Sequence, residues 1–187
     1  MHPAPWSLIA LRVLSAPAIV VLAVAGASGP WLFAILLVAF LSDVFDGVVA
    51  RRLAAATPML RLADSVVDVV FYIAVAVVVV DPDVLGRHAV GLGVFAALRV
   101  SRLIVEFDKY RRIAAYHMWS AKTWGVLLLL GFAEVYLVGA GTTLFAMAVW
   151  MGVVTDAEGL AASLMLPDWH HDVPSVVHAW RLRQGSA

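Results

Sequence analysis

The chain is 187 residues long, 63% hydrophobic and 14% charged, against about 25% charged residues in soluble domains, which excludes an ordinary water-soluble domain. A formal net charge of zero without a long basic run implies neither a nucleic-acid surface nor a polybasic lipid patch. The absence of cysteine excludes disulfides, thiolate metal sites and a cysteine nucleophile.

A helix that crosses lipid needs about 20 mostly apolar residues, and six such stretches can be placed, over residues 7–25, 31–49, 62–80, 89–105, 119–138 and 142–166. The expected fold is all-α, a polytopic membrane domain over 1–166 with six transmembrane helices, followed by a cytoplasmic or interfacial tail over 167–187. The first span follows Pro3 and Pro5, places Trp6 at the interface and contains Pro17, which would kink it. It carries Arg12 and lacks a small-residue cleavage site, so it reads as a span and not as a cleaved signal.

Asp43 and Asp46 end the second apolar run, and Asp64 and Asp68 open the third. An ionised side chain at bilayer depth costs about 2.5 kcal/mol or more, so such acids face a polar cavity and mark function. Spacings of three and four leave each pair within about 60° of one helix face, and a tight hairpin would bring the two pairs together. Four converging carboxylates repel one another unless a cation lies among them, and an all-oxygen donor set suits a hard metal such as magnesium or manganese. The competing reading pairs these acids with Arg51, Arg52 and Arg61 at the helix ends. Between the two helices, Thr57 can cap and Pro58 stands at an early helical position.

The fourth span carries Arg99 and Arg102, three apart on one face, and intramembrane arginine pairs with an acid or binds an anion. Lys122 and Thr123 lie just inside the fifth span. Here the bland alternative pairs Arg99 with Glu134 and lets Lys122 snorkel to the interface. Asp156 and Glu158 interrupt the sixth run: either they line a cavity, or the span stops near Thr155 and the following residues lie along the interface. In the tail, His170, His171, Asp172 and His178 lack a recognisable zinc-ligand spacing, which favours a solvated or interfacial segment. Orientation follows from the cations. Arg51, Arg52, Arg61, Lys109, Arg111, Arg112, Arg181 and Arg183 fall on one side and Arg87 alone on the other, so the positive-inside rule puts both termini and the aspartates in the cytoplasm.

The spacing Asp43-x-x-Asp46-Gly47-x-x-Ala50-Arg51, then Asp64-x-x-x-Asp68, resembles the signature of the CDP-alcohol phosphotransferases. The resemblance implies a membrane enzyme that moves a phosphatidyl group from CDP-diacylglycerol, or a related CDP-alcohol, to a hydroxyl acceptor and releases CMP. It implies a metal site in the hairpin of helices 2 and 3 at the cytoplasmic face, holding two Mg2+ or Mn2+ ions on Asp43, Asp46 and Asp64. Asp68 would be a further ligand, or stand just behind the ligands, and take the acceptor's hydroxyl proton. Gly47, Ala50, Arg51 and Thr57 would contact the CDP group, and Arg102 and Lys122 resemble a pocket for the lipid phosphate or a phosphorylated acceptor. Gly47 costs about 1 kcal/mol in mid-helix, for close approach either of the donor or of a neighbouring helix.

Three positions depart from the family pattern: Leu60 stands where a glycine is usual, and Trp6 and Ile9 stand for the asparagine and threonine that usually precede the arginine matched by Arg12. The expected partners are a CDP-linked lipid donor, a small or phosphorylated alcohol, membrane lipid and a second copy of the chain, with no nucleic acid. The expected location is the cytoplasmic membrane of a prokaryote. Competing functions are an aspartate-rich prenyltransferase, which needs a second diphosphate-binding motif, a cation transporter, and a degenerate relative that binds donor poorly.

Overall fold

A computed structural model describes residues 3–52, 67, 70–71, 74–75, 81–114, 116–170 and 172–185, with the backbone alone at 3–5, 8, 46–52 and 185. Every regular element among them is helical. The order is α1 (Pro3–Val24), α2 (Gly29–Arg52), α3 (Pro82–Arg87), α4 (Ala89–Tyr110), α5 (Trp119–Ala133), a π-helical stretch (Glu134–Val138), α6 (Thr143–Met165) and α7 (Val176–Gly185). Residues 67, 70–71 and 74–75, within the expected third span, are also helical. Among the described residues two helices are long and apolar enough to cross a membrane, Trp119–Val138 and Thr143–Met165, and shorter apolar stretches cover Ile9–Val24 and Gly29–Phe45. Leu14, Val21, Trp31, Val100, Ile104 and Val126 are exposed along their helices, and exposed apolar surface on this scale suits contact with lipid.

The chain forms two compact units, Met1–Pro82 with Val135–Ala140, and Asp83–Glu134 with Gly141–Ala187. In the first, α1 packs along α2 through Ala16, Ile19, Leu32, Leu36 and Ala39, all buried. Gly26 ends α1 with a positive φ of 74°, and the Ala27 N–H donates back to the Leu22 carbonyl at 2.9 Å. This is the glycine stop that satisfies a helix's last carbonyls. The helix runs through Pro17 without a break.

In the second unit, α4 and α5 both pack on α6, and α7 packs on α6 beyond them. The Glu134 carboxylate accepts the backbone N–H groups of Thr142, Thr143 and Phe145 at 3.0–3.1 Å and the Thr142 hydroxyl at 3.0 Å. It thereby satisfies donors that the first turn of α6 leaves open. The Arg99–Glu134 pair weighed from sequence is therefore replaced, because Glu134 caps α6. At the other end of α6 the Lys109 ammonium donates to the Ser163 and Leu164 carbonyls, and the Tyr110 hydroxyl lies 2.8 Å from the Ser163 and Leu166 carbonyls. Ala114, Tyr116, Met118, Ala162, Leu166, Val173 and Ala179 close a core beneath α7.

Candidate functional site

All of the first motif half lies on one helix: Asp43, Asp46, Gly47, Ala50 and Arg51 fall within the C-terminal half of α2. A separation of three residues keeps Asp43 and Asp46 within about 60° of a common face. Asp43 is the one acid of the four whose side chain is described. Its carboxylate is 40% exposed and lies 3.4 Å from the Arg12 guanidinium, whose own side chain is 1% exposed. A buried arginine thus reaches across from α1 to a half-solvated carboxylate in the C-terminal half of α2. That charge helps to offset the burial of Arg12. The side chains of Asp46 and Arg51, and residues Thr57, Leu60, Asp64 and Asp68 altogether, lie outside the described residues. Among the described residues no three potential metal ligands come together.

The face of α1 that presents Arg12 is apolar in the two turns before it. Ile9 is 5% exposed, with Trp6 and Val67 packed against it. The two positions that depart from the family pattern in α1 therefore form part of a hydrophobic contact with Val67.

In the second unit, Arg102 and Lys122 stand in different surroundings. Arg102 Nε donates to Glu106 Oε1 at 2.7 Å, and Nη1 lies 3.4 Å from Asp156 Oδ1. Arg99 Nε approaches Asp156 Oδ2 at 2.9 Å. Glu106 further accepts the Ser163 hydroxyl and the Ala114 N–H, while the Tyr116 hydroxyl meets Ser163 Oγ and its ring faces the Arg102 guanidinium at 5.6 Å. Two arginines and two carboxylates make this cluster neutral. Lys122 is exposed on the first turn of α5, its ammonium 4.2 Å from the Trp119 ring centre. Thr123 donates to the Trp119 carbonyl.

Asp156 and Glu158, the acids that interrupt the sixth apolar run, both find partners on neighbouring elements. Helix α6 continues through both acids to Met165; Asp156 neutralises the arginines of α4, and Glu158 accepts from Ser120 of α5 and the Val176 N–H of α7. Glu106 and Ser163 were not singled out from sequence. The Arg102–Glu106 spacing of four was a usable signal, whereas Ser163 joins the cluster only through the packing of α4 on α6. Gly159 lets that packing close: a Cβ there would come within 2.5–2.8 Å of the Arg102 guanidinium. Because Glu106 and Asp156 pin that guanidinium, Gly159→Ala is expected to lower stability by about 1–3 kcal/mol, read as a lower thermal midpoint in detergent.

The sequence model of the CDP-alcohol phosphatidyltransferases matches residues 3–157, from the start of α1 to the Asp156 cluster, and the chain belongs to this family. No curated protein and no solved structure matches it. The family transfers a phosphoalcohol group from a CDP-alcohol to an alcohol acceptor, and it is generally dependent on a divalent metal.

Proposed function

We propose that this protein transfers the phosphatidyl group of CDP-diacylglycerol, or a closely related CDP-linked lipid, to the hydroxyl of a small or phosphorylated alcohol. The observation that carries the reading is the intact pattern of four aspartates, Gly47, Ala50 and Arg51 inside the family match, with Asp43 held by a buried arginine at the end of an apolar helix. The donor set fits the family's metal: carboxylate oxygens alone suit Mg2+ or Mn2+, and Asp43 keeps a solvated face toward which a cation can approach. Asp43, Asp46, Asp64 and Asp68 would hold two such ions, which supply charge neutralisation for the attacking and leaving oxygens.

In the step itself the acceptor oxygen forms a bond to the phosphatidyl phosphorus, the bond from that phosphorus to the CMP oxygen breaks, and CMP leaves. The hydroxyl proton passes to Asp68. Gly47, Ala50, Arg51 and Thr57 would bind the CDP group, with Arg51 on a phosphate. In this reading the chain crosses a prokaryotic cytoplasmic membrane six times, with both termini and the aspartates on the cytoplasmic side, where the cations of the connecting segments concentrate. The diacyl tails then remain in lipid during the reaction.

Of the two cations assigned to an acceptor phosphate, Lys122 is the better suited, being exposed, whereas Arg102 is committed to Glu106 and Asp156. Lys122→Ala is expected to raise the KM for a phosphorylated acceptor roughly 10-fold or more, the loss of one charge-assisted hydrogen bond, with donor KM unchanged. An equal loss for neutral acceptors would assign Lys122 to packing.

The decisive experiment incubates the purified protein with labelled CDP-diacylglycerol, a panel of alcohols and magnesium, and follows CMP release. Release that stops on chelation and recovers poorly with calcium, whose coordination is looser, is the expected result. The apolar Trp6–Ile9–Val67 contact favours one second reading, a relative that keeps the fold and binds donor weakly. Donor binding without CMP release for any acceptor, or no donor binding at all, would establish that reading instead.

A further inference from the structure

We infer that α7 is a surface helix that seats on anionic lipid headgroups at the end of the α5–α6 pair. The inference rests on the membrane reading of α5 and α6 and is independent of the transfer chemistry.

Position comes first. The apolar helix Trp119–Val138 begins, and the apolar helix Thr143–Met165 ends, on the side where α7 is attached. The Trp119 N–H donates to the Pro174 carbonyl at 3.1 Å, and the Val176 N–H donates to Glu158 Oε1 at 3.0 Å. Thus the segment entering α7 is bonded to the first residue of one membrane-length helix and to the last turns of the other. Ala179, fully buried against the core that holds Leu166 and Val173, fixes which side of α7 faces inward. The tail, expected to be cytoplasmic or interfacial, contains a helix docked on α6.

The outward side has the composition of an interfacial helix. At about 100° per residue, Trp180, Val177 and Arg181 fall within about 100° of arc; Arg183 stands one turn after Ala179, about 40° from it, and is exposed near the end of the helix. Val177 is 50% and Trp180 51% exposed, and His178, Arg181 and Arg183 are exposed as well. The helix contains no acid. Exposed Trp119, with the Lys122 ammonium over its ring, extends the same chemistry at the head of α5. Aromatic and apolar side chains flanked by cations match the headgroup region of an anionic leaflet, where rings settle and basic groups meet phosphate. Charge complementarity therefore favours lipid over a second copy of this chain, whose α7 would bring the same positive charges face to face.

The test exploits the absence of cysteine. One variant, Val177→Cys, carries an environment-sensitive fluorophore on α7, and a second, Val126→Cys, carries it on the exposed side of α5. Full-length protein is placed in nanodiscs of phosphatidylcholine with or without phosphatidylglycerol. The α5 label is expected to emit as in hydrocarbon in both lipids. The α7 label is expected to shift to the blue, and to be quenched by headgroup-level spin labels, only with phosphatidylglycerol. That shift should vanish at 1 M salt, where the Debye length is about 3 Å, and in Arg181→Ala/Arg183→Ala, while Arg181→Lys/Arg183→Lys retains it. A water-like α7 signal in both lipids, an equal shift in both, or a shift that appears only with two copies per disc would overturn the inference while the α5 label still reports lipid. A water-like α5 signal would overturn the membrane reading beneath it.

Discussion

Asp43→Asn is expected to lower CMP release by at least about 100-fold, and so is the same change at Asp46, Asp64 or Asp68, as loss of an electrostatic contribution to the transition state typically does. Asparagine keeps the shape of the side chain and removes its charge, so the loss isolates the role of the carboxylates in gathering cations around the phosphates. At Asp43 a second effect must be separated. The change also takes one charge partner from buried Arg12, 3.4 Å away. A buried pair broken on one side costs about 3–5 kcal/mol, but here the carboxylate is 40% exposed and solvent screening reduces that figure well below the buried range. The thermal midpoint of each variant, measured beside CMP release, divides the folded fraction from its activity. Unimpaired release in any two of the four variants would break the single-site assignment.

Hydropathy located the long helices of the described residues, because an apolar helix satisfies its backbone groups within itself. The expected span at 119–138 coincides with α5 and its π-helical continuation, and 142–166 with α6 to within one residue at each end. Helix α4 was expected to stop at Val105 and runs to Tyr110 instead. Its last turn is polar by composition, yet Glu106 and Tyr110 are buried against α6, so tertiary hydrogen bonds extend a helix that apolar counting ends. The same limit hid α7, which is short and mixed in character and is held by Ala179 and by the bond from the Val176 N–H to Glu158. Neither contact leaves a local pattern. In the candidate site, the motif on α2 was legible from its spacing, whereas the pairing of Arg12 with Asp43 was not, because it forms only when α1 packs on α2. Nor were the partners of Arg99 and Arg102, since Asp156 lies more than fifty residues away and becomes a neighbour only when α4 packs on α6.

That packing carries the other large effect. Glu106 is wholly buried and serves three donors, Arg102 Nε at 2.7 Å, Ser163 Oγ at 3.0 Å and the Ala114 N–H at 2.9 Å. Glu106→Ala removes the acceptors and leaves the donors, with a mostly buried guanidinium left to Asp156 at 3.4 Å and the face of Tyr116. The expected cost is about 3–5 kcal/mol, the usual penalty for removing one member of a buried ion pair, and a fall in thermal midpoint on the order of 10 °C for a chain of this size. Glu106→Gln is expected to cost less, about 1–3 kcal/mol, yet it cannot be neutral. Both Glu106 oxygens face donors, so whichever way the amide is turned its NH2 group opposes one of them. Lys122→Ala, on the exposed first turn of α5, should leave the midpoint unchanged in the same detergent. If Glu106→Ala melted with the wild type while Lys122→Ala did not, Arg102 would owe its position to something other than this network, and its assignment to structure rather than to anion binding would have to be reversed.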